Sequence, residues 1–115
     1  MKTELIYLAV PFSHPDLAVR EFRYKEANRI SAILMKRGIP VYSPISHGYP
    51  IALEGGLPTS WEFWEKYLRA ILPACSAVYV LMLDGWNTSI GVQAEIKLAE
   101  ELGIPVEYKD PNEES

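Results

Sequence analysis

Glu95 is the residue whose type and place most invite chemistry. At helical spacing Val92, Ile96, Ala99 and Leu102 define one apolar arc, and Glu95 falls inside it. A carboxylate on an apolar face is costly to bury, so it is either paired or kept for reactivity. The plain alternative is a glutamate at the edge of the stripe with its head in water. Just ahead of it the run Asp84-Gly85-Trp86-Asn87-Thr88-Ser89-Ile90-Gly91 brings small and polar residues to a helix start. Free backbone N–H groups and the helix dipole favour an anion there, and a phosphate fits that chemistry. Asn87, Thr88 or Ser89 could equally act as a simple N-cap.

Other candidates surround this segment. Arg23 shares a helical stripe with Val19, Ala27 and Ile30, which directs a guanidinium toward the sheet side. It could pair with Glu95, bind a ligand anion, or snorkel to the surface. Tyr7 lies within an apolar strand segment, where a tyrosine is either core or a hydroxyl that orients a substrate. His14 and His47 fall in strand-end loops without metal-ligand spacing, so no metal is expected. Trp61, Trp64 and Trp86 read as core or interface, with Trp86 also able to stack on a base. Cys75 stands alone and reads as a small core residue.

The elements that must position these residues follow from punctuation and periodicity. Leu5–Val10 is a short apolar run closed by Pro11, which predicts a buried central strand. Ser13–Asp16 carries helix-start chemistry for a helix that Gly38 stops after Arg37. Ile39–Tyr42 predicts a second strand, and Ser43–Pro58 a long Gly- and Pro-containing loop. Thr59 and Glu62 have capping-box spacing for a helix with the stripe Trp61, Trp64, Leu68 and Ile71, ending at Pro73. Ala77–Leu83 predicts a third strand, residues 89–102 a helix stopped by Gly103, and Ile104–Tyr108 a last strand. Lys109–Ser115 reads as a frayed polar tail.

Strands alternating with helices predict an α/β domain over residues 1–108: a small doubly wound, Rossmann-like open parallel sheet of four to five strands with helices on both faces. Ligands of such sheets bind beyond the carboxyl ends of the strands, where strand order reverses. The length of 115 residues leaves no room for a second domain. A net charge of -4 argues against nucleic acid or an anionic membrane as partner and leaves a small molecule. The apolar run Leu5–Phe12 is too short for a signal sequence or a membrane span, which predicts a cytoplasmic protein.

Three stretches carry a resemblance over nearly the whole chain: Tyr7-Leu8-Ala9-Val10-Pro11-Phe12, Ser43-Pro44-Ile45-Ser46-His47, and Gly85-Trp86 followed by Ser89-Ile90-Gly91-Val92-Gln93-Ala94-Glu95. With these the chain resembles the nucleoside 2-deoxyribosyltransferase-like superfamily, in particular its small bacterial and phage branch. The resemblance implies that Glu95 is the nucleophile; the residues themselves add Tyr7, whose hydroxyl could hold that carboxylate charged, and Asp84 of the turn as further catalytic candidates. Its motifs contribute Pro11, Phe12, His47, Gly85, Trp86, Ser89 and Gly91 to the expected substrate-binding set, and the helical stripe adds Arg23. Ser89 is similar to the phosphate-contacting serine of the 2-deoxynucleoside 5'-monophosphate N-glycosidases, where the transferases tend to have Asp.

What the resemblance implies is cleavage or transfer of the N-glycosidic bond of a nucleoside or its 5'-monophosphate through a glutamyl-ribosyl ester, as in retaining glycosidases, with no cofactor. It also implies a homodimer or homotetramer whose site is shared between subunits. The family's second carboxylate would fall near Leu68 or Arg69, neither of which is an acid; Glu62, Glu65 and Asp84 are the substitutes in reach. Two further readings stand beside this one: a nucleotide-binding or sensing module of the same fold without turnover, and a hydrolase of a modified nucleotide or NAD-like bond.

Overall fold

The computed structural model describes residues 4–113, so Met1–Thr3 and the last two residues of the expected tail lie outside the described residues. Strand β1 (Ile6–Ala9) occupies an inner position of a four-stranded, all-parallel sheet of order β2-β1-β3-β4, with β2 at Val41–Tyr42, β3 at Ala77–Leu81 and β4 at Val106–Lys109. Strand order reverses between β1 and β3, whose residues pair from Ile6 with Ala77 to Ala9 with Val80. The doubly wound α/β architecture expected from the sequence is therefore present.

Alternation along the strands feeds two cores. Tyr7, Ala9, Val78 and Val80 pack on one face against Leu68 of helix α3 (Trp61–Ile71) and Val92, Ile96 and Ala99 of helix α4 (Ile90–Glu101). Leu8, Val10 and Leu81 pack on the other against Ala27, Ile30 and Leu34 of helix α1 (Leu17–Lys36). Cys75 is fully buried in the first core, as its lone occurrence suggested.

Four local expectations are corrected. The segment read as a loop contains helix α2 (Pro44–Gly55). Ser43 caps it by accepting from the Ser46 N–H, Pro44 stands in the first turn, where its missing N–H costs nothing, and Gly56 closes it at φ 63°. Pro50 inside the helix suggested a breaker, yet Gly48 lets this helix lie close to Trp64, where a Cβ would meet the indole at 3.3 Å. The Thr59–Glu62 capping box does not form, because the helix starts one residue later, with Ser60 at the N-cap making no side-chain bond. Leu102 leaves the buried arc: it occupies the C-cap of α4 and is exposed. Finally, β4 runs through Lys109, whose ammonium lies 4.4 Å from the Tyr79 ring centroid, and the Pro111 carbonyl accepts from Arg29 at 2.9 Å, so the tail begins later than expected.

Candidate functional site

The buried arc of α4 holds Val92, Glu95, Ile96 and Ala99, and the Glu95 residue is 7% exposed. Helix α4 is anchored at its start by Ser89, whose hydroxyl accepts from the Val92 N–H at 3.2 Å. Five residues of rise place Glu95 roughly 7 Å down the helix from Ile90. At that depth it faces Tyr7 of β1, itself 2% exposed. The Tyr7 hydroxyl donates to the Glu95 carboxyl group. Burial pushes the Glu95 pKa up to about 8, and the Tyr7 hydrogen bond opposes that rise. Tyr7 is driven well above its ordinary value, by burial first and by the carboxylate second. Among the described residues Glu95 takes no ion pair, so its charged form is favoured there by this hydroxyl.

Tyr42 joins this pair and was missed as a functional residue in the sequence. It pairs with Tyr7 across β1 and β2, its ring lies 5.9 Å from that of Tyr7, and Glu95 helps raise its pKa behind burial and Cys75. The signal available was its place as the last residue of a strand. Beyond it the His47 ring stands 5.9 Å from Tyr42, so the aromatic row Tyr7–Tyr42–His47 leads from the buried carboxyl to an exposed imidazole.

Arg23 does not meet Glu95. Its Nη1 donates to the Ser13 carbonyl at 3.0 Å and its Nη2 to the Asp84 carbonyl at 2.8 Å, on the α1 side of the sheet, so it does not pair with Glu95. Burial lowers its pKa from the ordinary guanidinium value and the Asp84 carboxylate works against that. Asp84 is exposed and, with Arg23, His14 and Phe22, lines a groove of about 410 Å³ beside α1. Gly85 adopts φ +90°, and a Cβ there would stand 2.7 Å from Arg23 Nη2.

The remaining candidates divide. Pro11 is fully buried, so its ring is packing rather than a ligand surface. Phe12 stacks at 4.7 Å on Tyr49 and lines a second groove of about 560 Å³ with Arg20 and Thr59. Neither groove is lined by Glu95 or Tyr7. Trp86 packs against the core and 5.5 Å from Tyr108, and its carbonyl accepts from Gln93 Nε2 at 3.2 Å, a support that the sequence did not flag. At Gly91 a Cβ would meet only Ser89 Oγ at 4.0 Å, which leaves the first turn of α4 open to approach. Of the substitutes for a second acid, Glu65 is held by Arg69 at 2.9 Å and Glu62 is exposed, while Leu68 is buried in the core.

Residues 4–110 match the family described as Domain of unknown function (DUF1937). The chain belongs to this family. The match takes in all four strands, and the Tyr7–Glu95 pair and the capped start of α4 both lie within it. Among curated proteins no match is found. No helix of the described residues is long and apolar enough to cross a membrane, and no group of three or more His, Cys, Asp or Glu among them could hold a metal ion.

Proposed function

We propose that the protein breaks the N-glycosidic bond of a nucleoside or nucleoside 5'-monophosphate, with Glu95 as nucleophile, and passes the sugar to water or to a second base. The observation that carries this reading is a carboxyl group buried against a tyrosine hydroxyl, with no cation paired to it among the described residues, on the helix that follows an inner strand of a parallel sheet. The resemblance of the motifs around Tyr7, His47 and Glu95 to the nucleoside 2-deoxyribosyltransferase-like superfamily supports the same role.

In this scheme a Glu95 oxygen attacks the anomeric carbon. The carbon–nitrogen bond breaks with its electron pair going to the base, which takes a proton from solvent as it leaves; the attacking water or second base later returns one proton to solvent. A water or a second base then attacks the same carbon, the ester bond to Glu95 breaks, and the carboxylate is restored. Tyr7 favours the ionised, attacking form of Glu95 against the burial that disfavours it. Ser89 and the open first turn of α4 supply polar donors for a 5'-phosphate. Sharing of the site between subunits belongs to this proposal, with the half-buried Trp61 and Trp64 as interface candidates.

A second reading is favoured by one observation. The place where the family's acid would stand holds the buried Leu68, and Glu65 on the same helix is tied to Arg69. A domain of this kind could bind a nucleotide without turning it over. Chromatography of nucleosides and 5'-monophosphates after incubation with the protein, with and without free base, separates the readings. Base release lost in Glu95→Gln supports the proposal, and release unchanged in that variant would falsify it. Saturable monophosphate binding without any product favours the binding module.

A further inference from the structure

Arg23 is out of keeping with its neighbours on α1. The helix buries Ala27, Ile30 and Leu34 against the sheet, and one turn earlier the same stripe carries a guanidinium in a residue that is 8% exposed. Its two terminal nitrogens donate to main-chain carbonyls of two different loops, Ser13 after β1 and Asp84 after β3. Those strands are neighbours at the point where strand order reverses, so the planar fork spans the crevice in which such sheets bind ligands. A side chain next to the bonded Asp84 carbonyl would displace the guanidinium, because a Cβ on Gly85 would stand 2.7 Å from Arg23 Nη2. Downstream, the turn is fixed by the Trp86 N–H to Leu83 at 3.0 Å, by Gln93 and by the Ser89 cap.

We propose that Arg23 is a positioning residue for the substrate-binding turn: by tying Ser13 to Asp84 it sets the separation of the two strand-end loops, and with it where Trp86, Ser89 and the start of α4 stand for an incoming nucleotide. Hydrogen bonds from a charged donor outweigh neutral ones, and two separate nitrogens in one plane can hold two carbonyls in a fixed relation. A lysine presents a point charge and cannot reproduce that fork. The clamp is a statement about the loops alone; its effect on substrate rests on the proposed glycosidic reaction.

Two measurements on the whole protein test this. In ligand-free Arg23→Ala and Arg23→Lys, amide exchange at residues 13–16 and 84–89 is faster than in the parent, while the paired strands β1 and β3 keep their protection. With 5'-monophosphate as substrate, KM rises about tenfold or more while kcat stays within a few-fold and the pH inflection of Glu95 does not move. Gly85→Ala, which keeps Arg23 but drives a methyl into it, serves if Arg23→Ala does not fold. There the telling segment is 13–16, remote from residue 85 in sequence, and it exchanges faster. Unchanged exchange at 13–16 in folded variants overturns the clamp, as does a fall in kcat with a shifted pH inflection, which would place Arg23 in the chemistry. If the parent protein turns over no nucleotide, the glycosidic reading fails and the exchange data still decide the clamp.

Discussion

The Tyr7 hydroxyl donates to the carboxyl group of Glu95 from the neighbouring sheet, and this one bond opposes a burial that otherwise favours the neutral acid. The balance between those two effects decides how much ionised Glu95 exists at a given pH. It also makes the pair open to titration, spectroscopy and substitution.

The first expectation concerns rate. A nucleophilic carboxylate must be ionised, and the Glu95 pKa is pushed up to about 8. For the proposed reaction kcat/KM therefore rises as pH is raised through about 8 and levels off above it. In Tyr7→Phe the hydroxyl that lowers the pKa is gone, so the inflection moves to higher pH. Initial rates of base release across pH 5.5 to about 10 check both, and a rate that falls through about 8 would make Glu95 an acid instead.

Stability should show the opposite slope. The folded-state pKa of Glu95 lies above the ordinary 4.5, so the folded protein binds the extra proton. The contribution is fully present below about 4.5 and is lost as pH rises toward about 8, at up to roughly 1.4 kcal/mol per pH unit. Glu95→Gln removes this ionisation, so its stability relative to the parent grows over that window. Denaturant titrations at pH 5 and pH 8 measure the difference, and an equal difference at both pH values contradicts the burial argument.

Ser89 caps α4 and, in the proposed reaction, also meets the phosphate; substitution separates the two roles. Ser89→Ala loses the bond to the Val92 N–H and should cost about 1 kcal/mol of stability. Ser89→Asp keeps a good capping oxygen but adds a negative charge where a phosphate would approach. In the proposed reaction it retains stability and shifts preference from monophosphate to nucleoside. Competition assays with the two substrates read this directly, and a preserved monophosphate preference removes the phosphate from the start of α4.

Cys75 should be chemically silent in the native state, since it is fully buried beneath Tyr7 and Tyr42. A thiol reagent is expected to label it only at the rate of unfolding, measured with and without denaturant. Rapid labelling of the folded protein contradicts the packing described here.

The sequence alone was enough for the parallel α/β architecture, for the buried arc that carries Glu95, and for a cap among Asn87, Thr88 and Ser89. These are local matters: burial periodicity and backbone capping are written within one or two turns of chain. Helix α2 escaped because Gly48 and Pro50 signal a loop locally, whereas contact with Trp64 from a later helix makes the small residue useful. Tertiary structure alone decided the partners. Arg23 and Asp84 are 61 residues apart, and helical spacing could direct the guanidinium inward but could not tell a carboxylate from a carbonyl at its end. Tyr42 reaches the Glu95 pair only because β2 lies beside β1 in register. Which face a side chain takes is set by the period of its own element, while what it meets there is set by how the elements pack.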